Sequence, residues 1–273
     1  MINLRQLWVY PVKSLRGIEL DQSLIGSQGL AYDRQWMLVM PNGRFVTQRQ
    51  LPQMALINTA LDDHNLTLSC DGHGSVDIPL HHPAGCDITA TVWRDTVAVQ
   101  EASEEASRWL TRTLNAPQPL RLVRMAPAHQ RQHINPERFG PDHHTLFADA
   151  APFLIANLAS LQELNRHLQA KGQAAVDIRR FRPNLVIDGL PAFAEHSMKQ
   201  LTLGEFQFTM VDHCERCIIT TIDPDTATKD PAMATYKHLA EINPMPDNPK
   251  APAFGVNATL GSSAKTLIQT VNG

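Results

Sequence analysis

The chain has 273 residues, 43% of them apolar, and a formal net charge of −3 at neutral pH. That apolar share is sufficient for the core of one large domain or of two ordinary ones. The slight negative charge argues against a general nucleic-acid binder, because no basic excess is available to neutralise phosphates. No window approaches the roughly 18 apolar residues of a membrane span, and the N-terminus lacks the cleavage site of a secretory signal.

Cysteine usage indicates a reducing compartment. The chain has four cysteines, Cys70, Cys86, Cys214 and Cys217, which is few for its length. Free thiols stay reduced in the cytoplasm. We therefore expect a cytoplasmic protein that associates with neither membrane nor nucleic acid.

The first 125 residues alternate short strand-like runs with turn signals. The segments PNG, DDHN, DGHG and HPAG are typical of hairpin turns. A helix is predicted over 103–114, with Ser103 as its N-cap and Trp109, Leu110 and Leu114 on one side. The spacing predicts a β-barrel-like first domain that ends soon after this helix. The predicted strands are 6–12, 35–40, 55–61, 66–70, 76–80 and 96–100.

Residues 126–149 show little periodicity and predict a long connecting loop, of a kind that is often functional. A second unit then opens with the apolar run PFLIA and the helix SLQELNRHLQAKG. In this helix Ser160 and Glu163 form a predicted capping box, and Gly172 ends the helix. The fold class is thus mainly β with a few helices (α+β), in two domains. The further predicted strands are 183–188, 200–204, 205–211 and 217–222.

Two cysteines lie three positions apart in VDHCERCIITTI, and three kinds of chemistry fit this spacing. A structural zinc site would need two ligands beyond Cys214 and Cys217, and no recognisable finger spacing supplies them. A thioredoxin-like pair would want a helix after the dithiol, whereas IITTI predicts a strand. The third alternative is one thiolate presented to a thiophilic metal, with Arg216 favouring the thiolate form of Cys217. Both cysteines could also be small core residues.

Cationic side chains lie at the ends of several predicted strands. They are Lys13, with Ser14 beside it, in YPVKSLRG, Arg34 in AYDRQW, Arg182 in RRFRPN, and Arg216. Each by itself is typical of a solvated charge or of a local ion pair, such as Arg34 with its neighbour Asp33. Together they supply the donors that a phosphorylated cofactor needs. Because the chain has no Gly-rich phosphate loop, side chains would have to hold the anion.

Five segments in one order resemble the MOSC family, and within it the branch of the amidoxime-reducing components. The resemblance runs over about residues 3 to 260 and is more specific than any single motif. It implies an N-terminal β-barrel-like domain (1–125) and a MOSC β-barrel domain (126–270), with molybdenum cofactor between them. The segments are YPVKSLRG, GLAYDRQWMLV, FVTQRQLPQMALI, FRPNLVIDG and HCERCIITTIDPDT.

The resemblance also implies roles for particular residues. Cys217 matches the cysteine that ligates molybdenum, and we expect it to be both the metal ligand and the catalytic centre. Contacts to the pterin and its phosphate are implied for Lys13, Ser14, Arg34, Arg182 and Arg216.

Two departures from the family pattern affect the substrate side of the expected pocket. Ala150 and Ala151 stand where relatives have a Thr-Ser pair, so the hydroxyl contacts of that pair are absent. Asn257 stands where a tyrosine approaches the cofactor in relatives, and we expect Asn257 to take its place among the cofactor-binding residues.

The implied activity is reduction of N-hydroxylated compounds such as amidoximes, hydroxylamines and N-hydroxylated bases. The metal would take the oxygen from nitrogen, and two electrons with two protons would regenerate it. No cysteine follows Cys217, so no built-in iron–sulfur cluster is expected. A separate flavoprotein, ferredoxin or cytochrome would then supply the electrons. His213, beside CERC, would either deliver protons or make an ordinary structural hydrogen bond.

Two other functions stay open at this point. A MOSC protein could bind or carry the cofactor, or handle sulfur, without reducing N-hydroxylated substrates. A β-rich binding module without a metal is the third alternative, and it would contain neither molybdenum nor pterin.

Overall fold

The computed structural model describes residues 1–81, 87–126, 129, 131, 136–139, 144–261 and 266–271. Within these ranges the chain forms mainly strands, and the expected class, mainly β with a few helices, is confirmed. The strands are β1 (Asn3–Val9), β2 (Ile18–Leu20), β3 (Gln22–Gly26), β4 (Gly29–Leu30), β5 (Trp36–Val39), β6 (Asn58–Leu61), β7 (Asn65–Cys70), β8 (Gly74–Pro79), β9 (Ile88–Val92), β10 (Asp95–Glu101), β11 (Arg121–Met125), β12 (Phe153–Asn157), β13 (Leu185–Asp188), β14 (Gln200–Leu203), β15 (Phe206–Glu215), β16 (Pro244–Met245), β17 (Asn248–Leu260) and β18 (Thr266–Gln269). The α-helices are α1 (Glu104–Thr113), α2 (Pro136–Phe139), α3 (Leu158–Ala170) and α4 (Ala234–Ile242).

The largest sheet runs in the order β14-β15-β17-β12-β13-β1-β2, with β16 paired to β17. Only β12 and β13 run parallel in it, and α3 lies between them in the chain, as a parallel pair requires a crossover. One face of this sheet packs on the sheet β18-β3-β4, where Leu7 and Phe153 contact Ile25. The other face is covered by α3 and α4 through Leu164 and Leu239.

The remaining strands form two smaller sheets, β5-β11-β10-β9 and β6-β7-β8. Helix α1 packs on them through Trp109 and Leu110, in a core that also contains Leu66 and Trp36. Among the described helices, none has the length and apolar character that crossing a bilayer requires.

Segments from both ends of the chain share sheets. Strands β1 and β2 belong to the large sheet, and β3 pairs with β18, so the first thirty residues fold with the C-terminal half. The division into 1–125 and 126–270 stays a prediction about the sequence. The sheets mix segments from both sides of it.

The two predicted helix starts have different outcomes. The Ser103 hydroxyl accepts a hydrogen bond from the Ala106 amide at 3.1 Å, so this N-cap is confirmed. The capping box in the second helix is wrong, because α3 begins earlier with Asn157 as its N-cap. The Ser160 hydroxyl instead donates to the buried carboxylate of Glu195 at 2.7 Å, a tertiary contact that local spacing does not reveal.

The predicted strand 217–222 is also wrong, since Ile218–Thr221 forms a 3₁₀ turn. The Thr220 and Thr221 hydroxyls donate to the carbonyls three residues before them, at 3.0 and 2.7 Å. These side chains close the turn against the β-branched preference for strands. Part of predicted strand 55–61 is likewise a 3₁₀ turn, at Pro52–Leu56. The sequence predicts none of the strands β2, β3, β4, β9, β11, β16, β17 and β18.

Gly255 in β17 is expected to be intolerant of a side chain. Its φ is +73°, and an added Cβ would lie 2.7 Å from the Ile155 carbonyl oxygen of β12. Gly255→Ala should lower the free energy of unfolding by about 2–4 kcal/mol, from left-handed strain plus overpacking. Gly204 is the matched control, because its φ is +57° but no atom lies within 4 Å of an added Cβ. Gly204→Ala should lower the free energy of unfolding, measured by urea denaturation, by only about 1 kcal/mol. Equal losses in the two variants would contradict the proposed clash at Gly255.

Candidate active site

One cleft of about 410 Å³ contains all of the residues that the sequence singled out. They come from five separate stretches of the chain, and the fold brings them to a common surface. Ala150 and Ala151, which together are one of the two departures from the family pattern, line the same cleft. The predicted residues along it are Lys13, Ser14, Arg34, Arg182, Arg216, Cys217 and Asn257.

Three of these residues have a left-handed backbone. The φ values are +68° at Ser14, +47° at Arg34 and +53° at Arg182. Such conformations are uncommon for residues other than glycine and cost free energy, so they persist only where the surrounding structure holds them. The cleft therefore contains strained backbone at three of its predicted residues.

Tyr10 provides a shared platform for two guanidinium groups. The Arg34 and Arg182 guanidinium carbons lie 4.3 and 4.2 Å from the centre of its ring. Both positions favour cation–π attraction. Burial, opposed by Tyr10 and reinforced by Arg34, lowers the pKa of Arg182 to about 10, and burial also raises the pKa of Tyr10. The ring and the two cations form one buried unit.

Further hydrogen bonds orient these two arginines. Arg34 forms the local ion pair with the Asp33 carboxylate that the sequence suggested. It also donates to the Arg182 carbonyl at 3.0 Å. Arg182 donates to the Leu15 carbonyl at 2.7 Å. Asp33 also accepts from the Tyr10 amide at 2.8 Å. The buried Asp33 carboxylate therefore links the Arg34 guanidinium to the backbone at Tyr10.

Lys13 also lines the cleft and is 5% exposed. Its ammonium donates to the Phe147 carbonyl at 2.8 Å and pairs with Asp149. Burial lowers the pKa of Lys13. Burial alone would raise the pKa of Asp149, but the Lys13 ammonium and the Trp93 indole hold it well below its usual range. Sequence reasoning missed Asp149, because it lies in the segment read only as a loop.

Arg216 contacts the other cysteine of CERC. Its Nη1 lies 2.8 Å from the Cys214 sulfur, and its Nη2 donates to the Phe181 carbonyl at 2.7 Å. The expected contact between Arg216 and the Cys217 thiolate is therefore replaced by a contact with Cys214. The Phe181 carbonyl binds the other nitrogen of the guanidinium and so fixes the direction of the Arg216 side chain. Burial, partly offset by Arg216, raises the pKa of the Cys214 thiol.

Cys217 begins the 3₁₀ turn that replaces the predicted strand, and its side chain is partly exposed in the cleft. Its carbonyl accepts from the Thr220 amide at 3.2 Å. The cysteine sulfur is thus presented from a closed turn. No third His, Cys, Asp or Glu ligand atom forms a cluster with the two CERC cysteines in the described part of the chain, which weakens the zinc interpretation.

Two irregularities in β15 turn its last residues into the cleft. Register shifts against β17 fall between Met210 and Asp212 and between His213 and Glu215, and bulges of this kind re-aim side chains near active sites. Asp212 accepts from the Asn257 amide at 2.8 Å. Asn257 therefore lines the cleft with its amide nitrogen already engaged.

His213 packs against a second histidine behind the cleft. The two rings lie 4.2 Å apart, and His213 Nε2 lies 3.2 Å from the His196 carbonyl. Within the described residues, His213 Nδ1 and His196 Nε2 are buried without a partner. One ring nitrogen of His213 thus makes the structural hydrogen bond that was one of its two expected roles. The other ring nitrogen has no partner among the described residues.

A second pocket of about 620 Å³ adjoins the cleft at Trp93. The Phe45 ring lies 5.1 Å from the Trp93 ring, and the Arg49 guanidinium lies 4.9 Å from it. Arg44 and Arg94 also line this pocket. An aromatic and cationic vestibule of this composition suits a planar or anionic small molecule.

The charges of the cleft suit an anionic ligand that bears a thiophilic metal. Six cationic side chains line it against four carboxylates. Arg216 Nε, in addition, is buried without a partner among the described residues. Guanidinium forks match phosphate oxygens, and a cysteine sulfur suits a soft metal. The residues present therefore fit a phosphorylated metal cofactor, with the cations for its phosphate and Cys217 for its metal.

Comparison with known proteins agrees with this architecture. The model of the MOSC N-terminal beta barrel domain matches residues 1–117, and that of the MOSC domain matches residues 142–265. The chain belongs to the MOSC family, with its N-terminal barrel domain followed by the MOSC domain.

Curated relatives include enzymes of known type. The chain is 34% identical over 262 residues to mitochondrial amidoxime-reducing component 1 of Homo sapiens, covering 92% of this chain and 76% of that protein. It is 30% identical over 234 residues to mitochondrial amidoxime reducing component 2 of Rattus norvegicus, covering 82% and 68%. It is also 33% identical over 246 residues to molybdenum cofactor sulfurase of Danio rerio, covering 83% of this chain but 29% of that protein.

Acid is expected to destabilise the protein through His196. Burial, with His213 beside it, lowers the His196 pKa from 6.5 to about 4. The unfolded chain therefore takes up this proton first, and stability present above pH 6.5 is lost as the pH falls toward 4. The loss is roughly 3 kcal/mol for this one group. In urea denaturation, the free energy of unfolding of His196→Leu should fall by that much less than that of the wild type between pH 7 and pH 4. His64→Leu, at an exposed turn, is the control and should show the wild-type pH dependence.

Proposed function

We propose that this protein is a molybdenum-cofactor-dependent reductase of N-hydroxylated compounds. The observation that carries the proposal is the convergence of one partly exposed cysteine, Cys217, with the four cations Lys13, Arg34, Arg182 and Arg216 in one cleft. The similarity to amidoxime-reducing components over most of the chain supports it. The net reaction converts an N-hydroxyl group, two electrons and two protons into an amine or amidine and water.

The chain's own groups would divide the work between holding the cofactor and shaping the pocket. Arg34 and Arg182, held on Tyr10, would bind the phosphate, together with Lys13 and Ser14. The buried Nε of Arg216 would donate to the pterin or its phosphate. Cys217 would ligate molybdenum. The metal, when the cofactor is bound, supplies the chemistry that removes oxygen from nitrogen.

The carboxylates near the cleft would determine where protons are available. The ion pair with Lys13 keeps Asp149 anionic, so Asp149 would accept a hydrogen bond from a substrate N–H or O–H group rather than donate a proton. The unpartnered Nδ1 of His213 is in a position to hold a proton beside the cleft that it lines. We assign it that role within the proposed reaction.

The substrate would enter through the vestibule at Trp93. A planar amidoxime or purine ring can stack on Trp93 and Phe45, and the cations at Arg44 and Arg49 would favour electron-rich or anionic substituents. Electrons would come from a separate flavoprotein, ferredoxin or cytochrome. We propose a cytoplasmic location.

The alternative function is cofactor binding or sulfur handling without reduction. The 33% identity to a molybdenum cofactor sulfurase, over 83% of this chain but 29% of that protein, supports it. Cys214, which Arg216 contacts through its sulfur, would then be a second functional thiol.

The activity itself is tested with the cofactor-loaded protein. Protein produced in a host that makes molybdenum cofactor should contain about one molybdenum and one pterin per chain, and it should oxidise reduced viologen when benzamidoxime or 6-hydroxylaminopurine is added. The same protein from a cofactor-deficient host is the control. Full loading without turnover of either substrate would reject the reductase in favour of the carrier.

The two cysteines provide a matched pair of variants. Cys217→Ser should lower turnover at least about 100-fold, because it removes the proposed metal ligand. Cys214→Ser should retain activity within about tenfold, because that sulfur contacts only Arg216 and a backbone carbonyl among the described residues. Molybdenum per chain and turnover are measured for both. Equal loss in the two variants would favour the dithiol or sulfur-handling function.

A further inference from the structure

A second group of metal-ligating side chains lies between α3 and α4, away from the cleft. The Glu241 Oε2 atom lies 2.9 Å from His167 Nε2 and 3.2 Å from His238 Nδ1. The two imidazole rings meet edge to face, with centroids 5.6 Å apart. One ligand atom from each of the three side chains lies within 4.8 Å of the other two. None of these residues lines the cleft or its vestibule.

From this arrangement we propose that His167, His238 and Glu241 form a site for a divalent transition metal, of which zinc is the best match. Tetrahedral zinc with bonds of about 2.0–2.1 Å places neighbouring ligand atoms about 3.3 Å apart. The two measured nitrogen–oxygen distances are already close to that spacing. Only the separation of the two imidazole nitrogens needs to adjust, within the freedom of side-chain rotation.

Two nitrogens and one carboxylate oxygen also select the metal. Imidazole ligands suit zinc, copper and nickel, whereas magnesium and calcium prefer all-oxygen sites. Glu241 is 48% exposed, and the histidines are 21% and 19% exposed at their side chains. A water molecule can therefore complete the coordination from the solvent side.

The supporting backbone is regular, which favours a defined site. His238 and Glu241 are three residues apart on α4, so they occupy one face of it, and His167 faces them from α3. The two helices are held together by packing of Leu164, Leu168 and Leu239 beneath the cluster. Ligands on packed helices are positioned more tightly than ligands on loops.

The charge balance also favours a cation at this position. Both imidazoles lie within hydrogen-bonding distance of the Glu241 carboxylate, and a carboxylate ligand supplies negative charge to a bound cation. Lys171 is the nearby opposing cation. A bound metal would replace the two hydrogen bonds to Glu241 with coordinate bonds and would link α3 to α4.

The position of α4 connects this link to the active site. Helix α4 packs on the 3₁₀ turn Ile218–Thr221 that follows Cys217. Fixing α4 against α3 would therefore brace the turn that presents the cysteine. The metal would act as a structural clamp, separate from the redox chemistry of the cleft.

Zinc binding to the metal-stripped full chain tests the proposal. We expect about one equivalent of zinc, measured by competition with a chromophoric chelator, and a midpoint of thermal unfolding that rises with zinc concentration. His167→Gln and His238→Gln should each weaken binding at least about tenfold. His64→Gln is the control, because His64 lies in an exposed turn that is remote in sequence from α3 and α4. This variant should bind zinc as the wild type does.

The cleft cysteines are a competing zinc site, and cobalt distinguishes the two. Cobalt bound by imidazole and carboxylate shows visible bands without the near-ultraviolet charge-transfer absorption that thiolates add. We expect the first spectrum, and we expect it to disappear in His238→Gln. A thiolate-type spectrum, zinc affinity unchanged by both histidine substitutions, or no binding at all would each overturn the proposal.

Discussion

The antiparallel pairing of β1 with β13 is the contact on which the active site depends. Leu7 lies opposite Leu185 in this pair. The Trp8 amide donates to the Asn184 carbonyl at 2.8 Å, and the Asn184 side chain donates back to the Trp8 carbonyl. Asn184 also exchanges hydrogen bonds with Leu154 of β12. Residues that follow β1 and residues that precede β13 are thereby fixed at one end of the large sheet.

This pairing explains how cations remote in sequence come to share one ring. Tyr10 directly follows β1, and Arg182 lies three residues before β13, so pairing of the two strands brings their backbones close together. Arg34 joins them because its amide donates to the Tyr10 carbonyl at 2.9 Å. The three left-handed residues of the cleft lie where these segments turn away from the sheet. Pairing energy in the sheet offsets the strain of those turns.

The same arrangement buries several positively charged side chains, although burial disfavours the charged form of a side chain. Two cations of the cleft, Arg182 and Arg216, are held by backbone carbonyls, from Leu15 and Phe181, with no carboxylate partner among the described ion pairs. Lys13 and Arg34 each combine one backbone carbonyl with one carboxylate. Carbonyl dipoles orient a guanidinium or ammonium group without neutralising it. Such a cleft would sacrifice stability for the anion site that we propose, a compromise typical of binding sites. The separate cluster at Glu241 on α4 has the opposite character, because there one carboxylate is shared by two histidines.

Sequence reasoning succeeded where a signal is local or where several motifs occur in order. The Ser103 cap, the mainly β class and the membership of the family are of this kind. It failed at Ser160 and at IITTI, where Glu195 and the threonine hydroxyls outweigh local preference. It also missed Asp149 and Trp93, because the one lies in an aperiodic segment and the other in a hairpin turn.

By itself, the sequence singled out the residues that the structure brings into one cleft, since cysteine and arginine types in family order mark them without coordinates. Their chemical roles belong to the proposed function. Only the tertiary structure decided how those residues are paired. Arg216 contacts Cys214 instead of Cys217, Lys13 pairs with Asp149, and Asn257 bonds to Asp212. The physical reason is that side-chain direction depends on turns, bulges and register, which depend in turn on contacts between strands far apart in the chain.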